Sequence, residues 1–257
     1  MEKLNKDEFF TLAIYLDLRS LLNFCMCNKY INKHVYKRDE IWIYKLKKDF
    51  PDFRKLGVEK RFNEIYQILF SLSKLREKIK RRLNIYDLYT VELMDLSATN
   101  LTEVPKQIGN LTNLRTLSLF SNKLTKIPKE IGNLTSLKTL SLRDNELIEI
   151  PKEIGNLINL EVLYLQDNKL TEIPKEISNL INLQGLYLHY NKLTEIPKEI
   201  SDLTNLRGLY LDNNKLTEIP KEIGDLTNLK NLYLSKSTDI PKEIFENKNI
   251  NIRYMKK

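Results

Sequence analysis

The chain is 257 residues long, with 42% hydrophobic and 30% charged residues and a formal net charge of +8. All of the excess positive charge lies in residues 1–90, because residues 91–257 contain 22 basic and 22 acidic side chains. A neutral segment lacks the basic stripe by which proteins bind nucleic acid. No stretch approaches the roughly 20 consecutive apolar residues that span a bilayer. We therefore expect neither nucleic acid nor a membrane to be the partner of this protein.

Cysteine content and the first residues predict the compartment. Cys25 and Cys27 are the only cysteines and lie two residues apart. Because small secreted domains usually contain several disulfides, this scarcity favours a reducing environment. The apolar run from Phe9 to Leu16 is short for a signal peptide and lacks a small-residue cleavage site. We therefore expect a cytoplasmic protein.

Residues 1–53 carry apolar side chains at the spacing of short helices. Asp17 is placed to cap a helix that buries the leucines after it. The motifs in order are Leu16-Asp-Leu-Arg-Ser-Leu-Leu22, Asn28-Lys29, Trp42-Ile-Tyr-Lys-Leu46 and Phe50-Pro51. Over residues 4–51 this spacing resembles the F-box, a helical module that docks substrate receptors onto the Skp-family adaptor of cullin-RING ubiquitin ligases. The resemblance implies adaptor docking through Leu12, Leu16, Leu18, Leu21, Leu22 and Trp42.

A second interpretation of the same residues stays open. The F-box family usually opens with Leu-Pro, whereas Leu4-Asn5 stands near that position here. Residues 1–53 would then be a helical cap that shares only the apolar periodicity of an F-box. The composition, rich in Lys, Asn, Ile and Tyr, resembles that of F-box proteins from giant viruses that infect amoebae, which would place the protein in the host cytoplasm.

Residues 54–90 predict a charged helical connector that caps the segment after it. Apolar residues recur at spacings of three and four, as in an amphipathic helix. They are Phe62, Ile65, Leu69, Leu72, Leu75 and Ile79. The basic run at 74–82 is a candidate nucleic-acid contact, but a solvated helix face is the favoured interpretation.

Residues 91–257 repeat with a period of 23. The turn asparagines of successive repeats are Asn122, Asn145, Asn168, Asn191 and Asn214. The pattern LxxLxLxxNxL at this period resembles the leucine-rich repeat family, in its Ile-Pro-x-x-Ile-Gly-x-Leu variant. The resemblance implies an α/β solenoid, a horseshoe with a parallel concave sheet, of about 6–7 repeats. Ile252 and Met255 fall where Leu229 and Leu232 would recur, which predicts a final partial strand.

Each residue type in a repeat has a physical role. Leu163 and Leu165 alternate with Tyr164, as in a strand with one buried face. The amide of Asn168 is placed to donate to and accept from backbone groups at a turn. Pro174 suits the first position of a short helical turn, where its missing N–H is not needed.

Exposed strand positions vary between repeats while the framework does not. Tyrosines occupy one such position in four consecutive repeats and predict a ladder on the concave face: Tyr164, Tyr187, Tyr210 and Tyr233. Nearby variable positions complete the predicted partner-binding surface: Phe120, Arg143, Gln166, His189, Tyr190 and Asp212. Tyrosine is enriched in binding hot spots. The alternative is that the tyrosines only stabilise one another as same-face neighbours.

Catalysis is poorly supported by these residues. The two histidines, His34 and His189, lie far apart in sequence, and neither belongs to a recognisable nucleophile motif. Cys25 and Cys27 would point to different faces of a helix, so they predict core thiols and no metal site. We therefore expect no cofactor and a non-catalytic adaptor, monomeric outside its complex, that brings a protein target to a ubiquitin ligase. The alternative is a protein-binding scaffold with no link to ubiquitin.

Overall fold

The structure is a computed structural model of the full chain that describes residues 39–56 and 91–255, together with residues 64, 66–70, 73, 77, 88 and 90 between them. It contains two compact units, Met1–Tyr89 and Thr90–Lys257. The boundary between them lies one residue from the predicted start of the repeats. The predicted docking residues Leu12, Leu16, Leu18, Leu21 and Leu22 lie outside the described residues, as do both cysteines and His34.

Aromatic side chains form the described core of the first unit. Helix α1 (Asp39–Asp49) is followed by a 3-10 turn at Phe53–Leu56. Trp42 is buried on α1, and its ring lies 5.6 Å from that of Tyr66. Phe50 packs edge-on against Tyr66 at 5.5 Å. Because Tyr66 belongs to the predicted connector, this core crosses the boundary predicted at residue 53.

The predicted capping face of the connector is described at one position only. Leu69 is fully buried and helical, in agreement with the amphipathic pattern. The other five apolar residues of that pattern lie outside the described residues: Phe62, Ile65, Leu72, Leu75 and Ile79. The capping role of this segment therefore stays a prediction.

The second unit is a parallel sheet of eight strands in sequence order, which confirms the predicted solenoid. The strands are β1 (Leu93–Asp95), β2 (Thr116–Ser118), β3 (Thr139–Ser141), β4 (Val162–Tyr164), β5 (Gly185–Tyr187), β6 (Gly208–Tyr210), β7 (Asn231–Ser235) and β8 (Asn251–Met255). Short 3-10 turns connect most of them, at Lys106–Asn110, Lys129–Asn133, Lys152–Asn156, Lys175–Asn179, Lys198–Asp202 and Lys221–Asp225; α2 (Lys242–Phe245) takes this place before β8. From β1 to β7 each residue pairs with the one 23 positions later.

A column of leucines and isoleucines fills the interior between the sheet and the turns. In the repeat that begins at Leu160, the interior residues are Leu160, Leu163, Leu165, Leu170, Ile173, Ile177 and Leu180, all of which are buried. One repeat cannot cover this apolar surface by itself, so each depends on its neighbours for burial.

The turn asparagines bond to backbone groups, as predicted, and these bonds also join neighbouring repeats. The Asn168 side-chain N–H groups donate to the carbonyls of Leu142 and Leu165, at 2.9 and 3.0 Å. Its side-chain oxygen accepts the backbone N–H of Leu147 at 3.0 Å. Asn145 and Asn191 make equivalent bonds. One side chain therefore satisfies buried backbone groups of two repeats.

The prolines lie one position earlier than predicted. Pro174 is the N-cap of the turn Lys175–Asn179, with φ −66° and ψ 143°. Its carbonyl accepts the N–H of Ile177 at 3.0 Å. The fixed φ of proline suits this extended cap, and its missing N–H costs nothing there.

The last repeat is shorter than the others, which corrects the predicted register of the final strand. Ile252 pairs with Leu232, and Met255 pairs with Ser235, so the offset is 20 residues. The shortening begins after β7, where the N–H of Thr238 donates to the carbonyl of Ser235 at 3.1 Å and closes a tight turn. The predicted partial strand exists, but its residues sit three positions away from where the period places them.

Candidate partner-binding surface

The sheet presents four tyrosines in one row. In β4, Leu163 is buried while Tyr164 is half-buried on the opposite face, because successive side chains of a strand alternate. The strand register then pairs Tyr164 with Tyr187, Tyr187 with Tyr210, and Tyr210 with Tyr233. We call these four residues the tyrosine ladder.

The rings of the tyrosine ladder stack face to face. Ring centroids are separated by 4.7 Å between Tyr164 and Tyr187, with an interplanar angle of 25°. The separations are 4.3 Å between Tyr187 and Tyr210 and 4.6 Å between Tyr210 and Tyr233. Most ring faces are therefore covered by neighbouring rings. The ladder offers a partner its ring edges and hydroxyl groups, together with the outer face of Tyr164.

Two glycines allow the central rings to lie close to the backbone. A Cβ atom added at Gly185 would lie 3.1 Å from Cε2 of Tyr187, and one at Gly208 would lie 3.0 Å from Cε2 of Tyr210. An added Cβ atom there would require the ring to shift by a few tenths of an ångström. Sequence reasoning missed this role, although a glycine inside a strand is itself a signal of close approach.

An arginine of the last strand closes one end of the ladder. Arg253 of β8 pairs with Tyr233 across the sheet, and its Nη1 donates to the Tyr233 hydroxyl at 3.0 Å. Its Cζ lies 5.7 Å from the centre of the Tyr233 ring, a cation–π distance. Arg253 could not be predicted from the 23-residue period, because the last repeat is shorter.

Tyr187, in the middle of the ladder, is protonated at neutral pH. Burial raises the pKa of Tyr187 to about 12, and the neighbouring Tyr210 adds to the shift. The phenol group of Tyr187 therefore keeps its proton and can donate as well as accept a hydrogen bond.

A second row of side chains runs beside the ladder. Cζ of Arg143 lies 5.3 Å from the Phe120 ring centre, and its Nε lies 3.4 Å from Oδ2 of Asp167. His189 packs its ring against Tyr187, Tyr190 and Tyr210, with centroids 5.7 to 6.4 Å away. The structure thus brings the predicted residues of both rows onto one face.

Two predicted contact residues of this row are covered. Gln166 is 5% exposed and Asp212 is 3% exposed, so neither offers much area to a partner. Burial lowers the pKa of His189 below its ordinary value, against the opposing effect of Asp212. The histidine is therefore neutral at pH 7. The Gln166 Oε1 and His189 Nδ1 atoms are buried without a hydrogen-bond partner among the described residues.

Tyr190 combines exposure with an unfavourable backbone conformation. It follows β5 at a position where every repeat from Ala98 to Asn213 has a positive φ, and its own φ is 54°. Asp and Asn tolerate this region, whereas a bulky side chain there is a real outlier. Tyr190 is nevertheless 53% exposed. Strained residues of this kind concentrate at binding sites.

The first unit contributes a single described residue to the predicted adaptor-docking set. Trp42 is 1% exposed and packs on Tyr66. The Trp42 side chain therefore lies in the core of the module and is not accessible to an adaptor. Adaptor docking by the remaining residues of the set stays a prediction.

In the part of the chain that the structure describes, three or more His, Cys, Asp or Glu side chains nowhere come together as potential metal ligands. The helices in the same part are all too short or too polar to cross a bilayer.

The repeating strands, turns and asparagines match a known family model. The model for the leucine-rich repeat matches residues 89–147, 135–193, 158–216 and 181–240, which together cover more than half of the chain. The chain belongs to the leucine-rich repeat family. Its fold is one that typically serves as a non-catalytic binding scaffold, and the sheet described above is the concave side of the horseshoe.

Solved structures of other leucine-rich repeat proteins are similar to this chain. One is a leucine-rich repeat protein of Leptospira interrogans, with 35% identity over 70% of this chain and 57% of that chain, at a TM-score of 0.51. Another is the ectodomain of the plant membrane receptor kinase GASSHO1/SCHENGEN3 from Arabidopsis thaliana, in complex with CASPARIAN STRIP INTEGRITY FACTOR 2. It shares 33% identity over 65% of this chain and 24% of that chain, at a TM-score of 0.53. No curated protein matches the chain.

Proposed function

We propose that this leucine-rich repeat protein is a substrate receptor. Its concave sheet binds a target protein, and residues 1–53 dock onto a Skp-family adaptor of a cullin-RING ubiquitin ligase in the cytoplasm. The observation that carries the first part is the tyrosine ladder with the strained, exposed Tyr190 beside it. The F-box-like motifs of residues 4–51 support the second part.

Aromatic side chains of this kind suit protein recognition. Tyrosine offers a large contact area with a polar tip and loses little conformational entropy on binding. The rings of the ladder are already ordered by stacking, so a partner would not have to immobilise them. A plant leucine-rich repeat ectodomain that is similar to this chain was solved in complex with another molecule, CASPARIAN STRIP INTEGRITY FACTOR 2.

Target binding is tested by changing the ladder and an opposite surface in parallel. Tyr187→Ala with Tyr210→Ala should weaken capture of targets by at least about 2 kcal/mol, as loss of central hot spots does. Lys152→Ala with Lys175→Ala changes exposed residues of the 3-10 turns and should leave capture unchanged. Proximity labelling in cells measures the partners of each variant against the parent protein.

A second pair of ladder variants should leave the thermal stability unchanged. Tyr187→Phe with Tyr210→Phe keeps the stacked rings and removes only the hydroxyl groups, so its thermal midpoint should match that of the parent protein within a few degrees. If the alanine pair keeps every partner at equal folded fraction, target binding by the ladder is refuted. Loss of partners by the lysine pair would instead assign binding to the turn face.

Adaptor docking is tested with the full chain and a purified Skp-family adaptor. Leu21→Asp with Leu22→Asp should abolish binding, because two leucines that the F-box resemblance assigns to adaptor docking would become charged. The repeat unit serves as an internal folding control, since its circular dichroism should be unchanged. Failure of the parent chain to bind the adaptor at tens of micromolar would leave a protein-binding scaffold with no ubiquitin link.

A further inference from the structure

Three polar side chains meet beside the tyrosine ladder. Gln166, His189 and Asp212 occupy the same position of three consecutive repeats, two residues after a ladder tyrosine. The strands stay in register there, because the N–H of Asp167 donates to the carbonyl of His189 and that of Tyr190 to Asp212, both at 3.1 Å. Neighbouring members therefore lie about 4.8 Å apart, as adjacent strands do.

Two of these side chains have buried polar atoms without partners. Gln166 is 95% buried, and its Oε1 has no donor among the described residues; the same holds for Nδ1 of His189. Buried polar atoms in native proteins are nearly always hydrogen-bonded, so each exception needs an explanation. Two of the three such atoms among the described residues, on Gln166 and His189, lie in adjacent repeats on the proposed partner-binding face; the third is Oε1 of Gln107.

Negative charge is in excess around Gln166 and His189. Arg143 is held by Phe120 and by Asp167, whose carboxylate it offsets. Asp212 accepts a hydrogen bond of 2.8 Å from Nδ2 of Asn213, but no cation among the described residues pairs with it. A carboxylate, a glutamine oxygen and an imidazole nitrogen thus occupy adjacent positions of one row, and all three are acceptors when the imidazole carries its proton on Nε2.

We propose that Gln166, His189 and Asp212 form a subsite that receives a lysine or arginine side chain of the target protein. This rests on the proposed function, since it assigns the chemistry of the partner at the concave face. The N–H groups of such a cation would satisfy Oε1 of Gln166 and Nδ1 of His189. Asp212 would supply the opposite charge.

The surroundings fit an aliphatic cation. The rings of Tyr187, Tyr190 and Tyr210 border His189 and offer apolar edges to the stem of a long side chain. The depressed pKa of His189 keeps the imidazole neutral at pH 7, so that it does not repel the incoming charge. An acidic side chain would instead face Asp212 without compensation.

The subsite is tested in solution by nuclear magnetic resonance of the full chain with 15N-labelled histidine. His189 and His34 are the only histidines, so two sets of ring signals are observed and His34 is an internal reference. Methylguanidinium and methylammonium serve as probes at constant ionic strength. Methylurea, which has N–H groups without charge, and tetramethylammonium, which has charge without N–H groups, are the controls. We expect the two N–H cations to shift the His189 signals and the controls to bind at least tenfold more weakly.

Variants locate the bound cation. Gln166→Met keeps side-chain volume and removes the acceptor, and it should weaken methylguanidinium binding at least tenfold. Gln184→Met makes the same chemical change at the residue before β5, outside the subsite, and should have no effect. Asp212→Asn should also weaken binding. Equal binding of methylurea, an unchanged Gln166→Met, or an unmoved His189 signal would each overturn the proposal.

The outcome is separable from that of the proposed function. Because the ligand comparison uses the parent protein, it does not depend on any variant folding. If the cations fail to bind while the ladder variants lose partners, the concave face recognises its target without this subsite. If the cations bind while the ladder variants keep every partner, the subsite exists but the assigned target-binding role is wrong.

Discussion

At the scale of single residues, the turn asparagines connect one repeat to the next. Each uses both ends of its amide on backbone groups that water does not reach, as Asn168 does with Leu142, Leu165 and Leu147. Loss of such a side chain leaves several buried groups unsatisfied at once. The neighbouring lysine in sequence shares none of these contacts and is exposed.

Asn168→Ala should lower the free energy of unfolding by about 1–3 kcal/mol, because buried backbone groups lose their partners. Lys169→Ala removes only an exposed ion pair with Glu146 and should cost less than about 0.5 kcal/mol. Urea denaturation followed by circular dichroism measures both variants. Equal midpoints would contradict the structural role of the asparagine.

Substitution of Tyr190 should change stability and target binding in opposite directions. Asparagine tolerates its positive φ far better than tyrosine, so Tyr190→Asn should raise the free energy of unfolding by about 0.5–1 kcal/mol. The same change should weaken target capture if the exposed ring is a contact. The reciprocal control is Asp144→Tyr, which places a bulky side chain at φ 53° and should destabilise the protein by about 1 kcal/mol. A Tyr190→Asn protein that is less stable than the parent would show that the ring contacts outweigh the strain.

At the scale of elements, glycines determine how closely the 3-10 turns stack. A Cβ atom at Gly155 would lie 2.3 Å from the carbonyl oxygen of Glu176 in the next turn. At Gly224 the nearest atom, the carbonyl oxygen of Glu243, would be 3.2 Å away. Ser178 and Ser201 occupy the same position in the repeats between them. The close approach is therefore a local property of particular turn pairs.

Gly155→Ala should destabilise the protein by about 1–3 kcal/mol, because the added methyl group meets backbone that has to move. Gly224→Ala should cost less than about 1 kcal/mol, since a shift of a few tenths of an ångström suffices there. Thermal denaturation of the two variants in parallel measures the difference. A larger loss for Gly224→Ala would contradict the stacking geometry.

The elements also show how far sequence reasoning reaches. Leu163 and Asn168 were placed correctly, because a strict period defines both the buried face and the turn. The close packing of the Tyr187 ring against the backbone was not predicted, because ring orientation depends on Gly185 and on tyrosines of other strands. The position of Arg253 was missed since the period changes in the last repeat. The burial of Trp42 depends on Tyr66, a residue that periodicity alone does not bring near.

At the scale of the whole molecule, the repeat unit behaves as a stack of nearly equal layers. Stability is then approximately a sum over repeats and the interfaces between them. Because strands β1 to β7 pair at a constant offset of 23 residues, a whole repeat can be removed while the remaining strands keep the same pairing.

Deletion of residues 146–168 should therefore leave a folded protein with one strand fewer. We expect an unchanged shape of the circular dichroism spectrum and a lower urea midpoint, because one layer and one interface are lost. Deletion of residues 146–167 differs by a single residue but leaves an extra residue at the turn, which breaks the 23-residue spacing between the strands on its two sides. Its unfolding should lose cooperativity. Similar cooperative melts for both deletions would contradict the layered description.

The tyrosine ladder also makes the two units optically distinct. Trp42 is the single tryptophan and belongs to the first unit, so tryptophan emission reports on that unit alone. Aromatic rings stacked at 4.3 to 4.7 Å couple their electronic transitions, so the sheet contributes to the near-ultraviolet dichroism alongside the aromatic core of the first unit. One denaturation experiment read at both signals would show whether the units unfold together or in sequence, without a label on either.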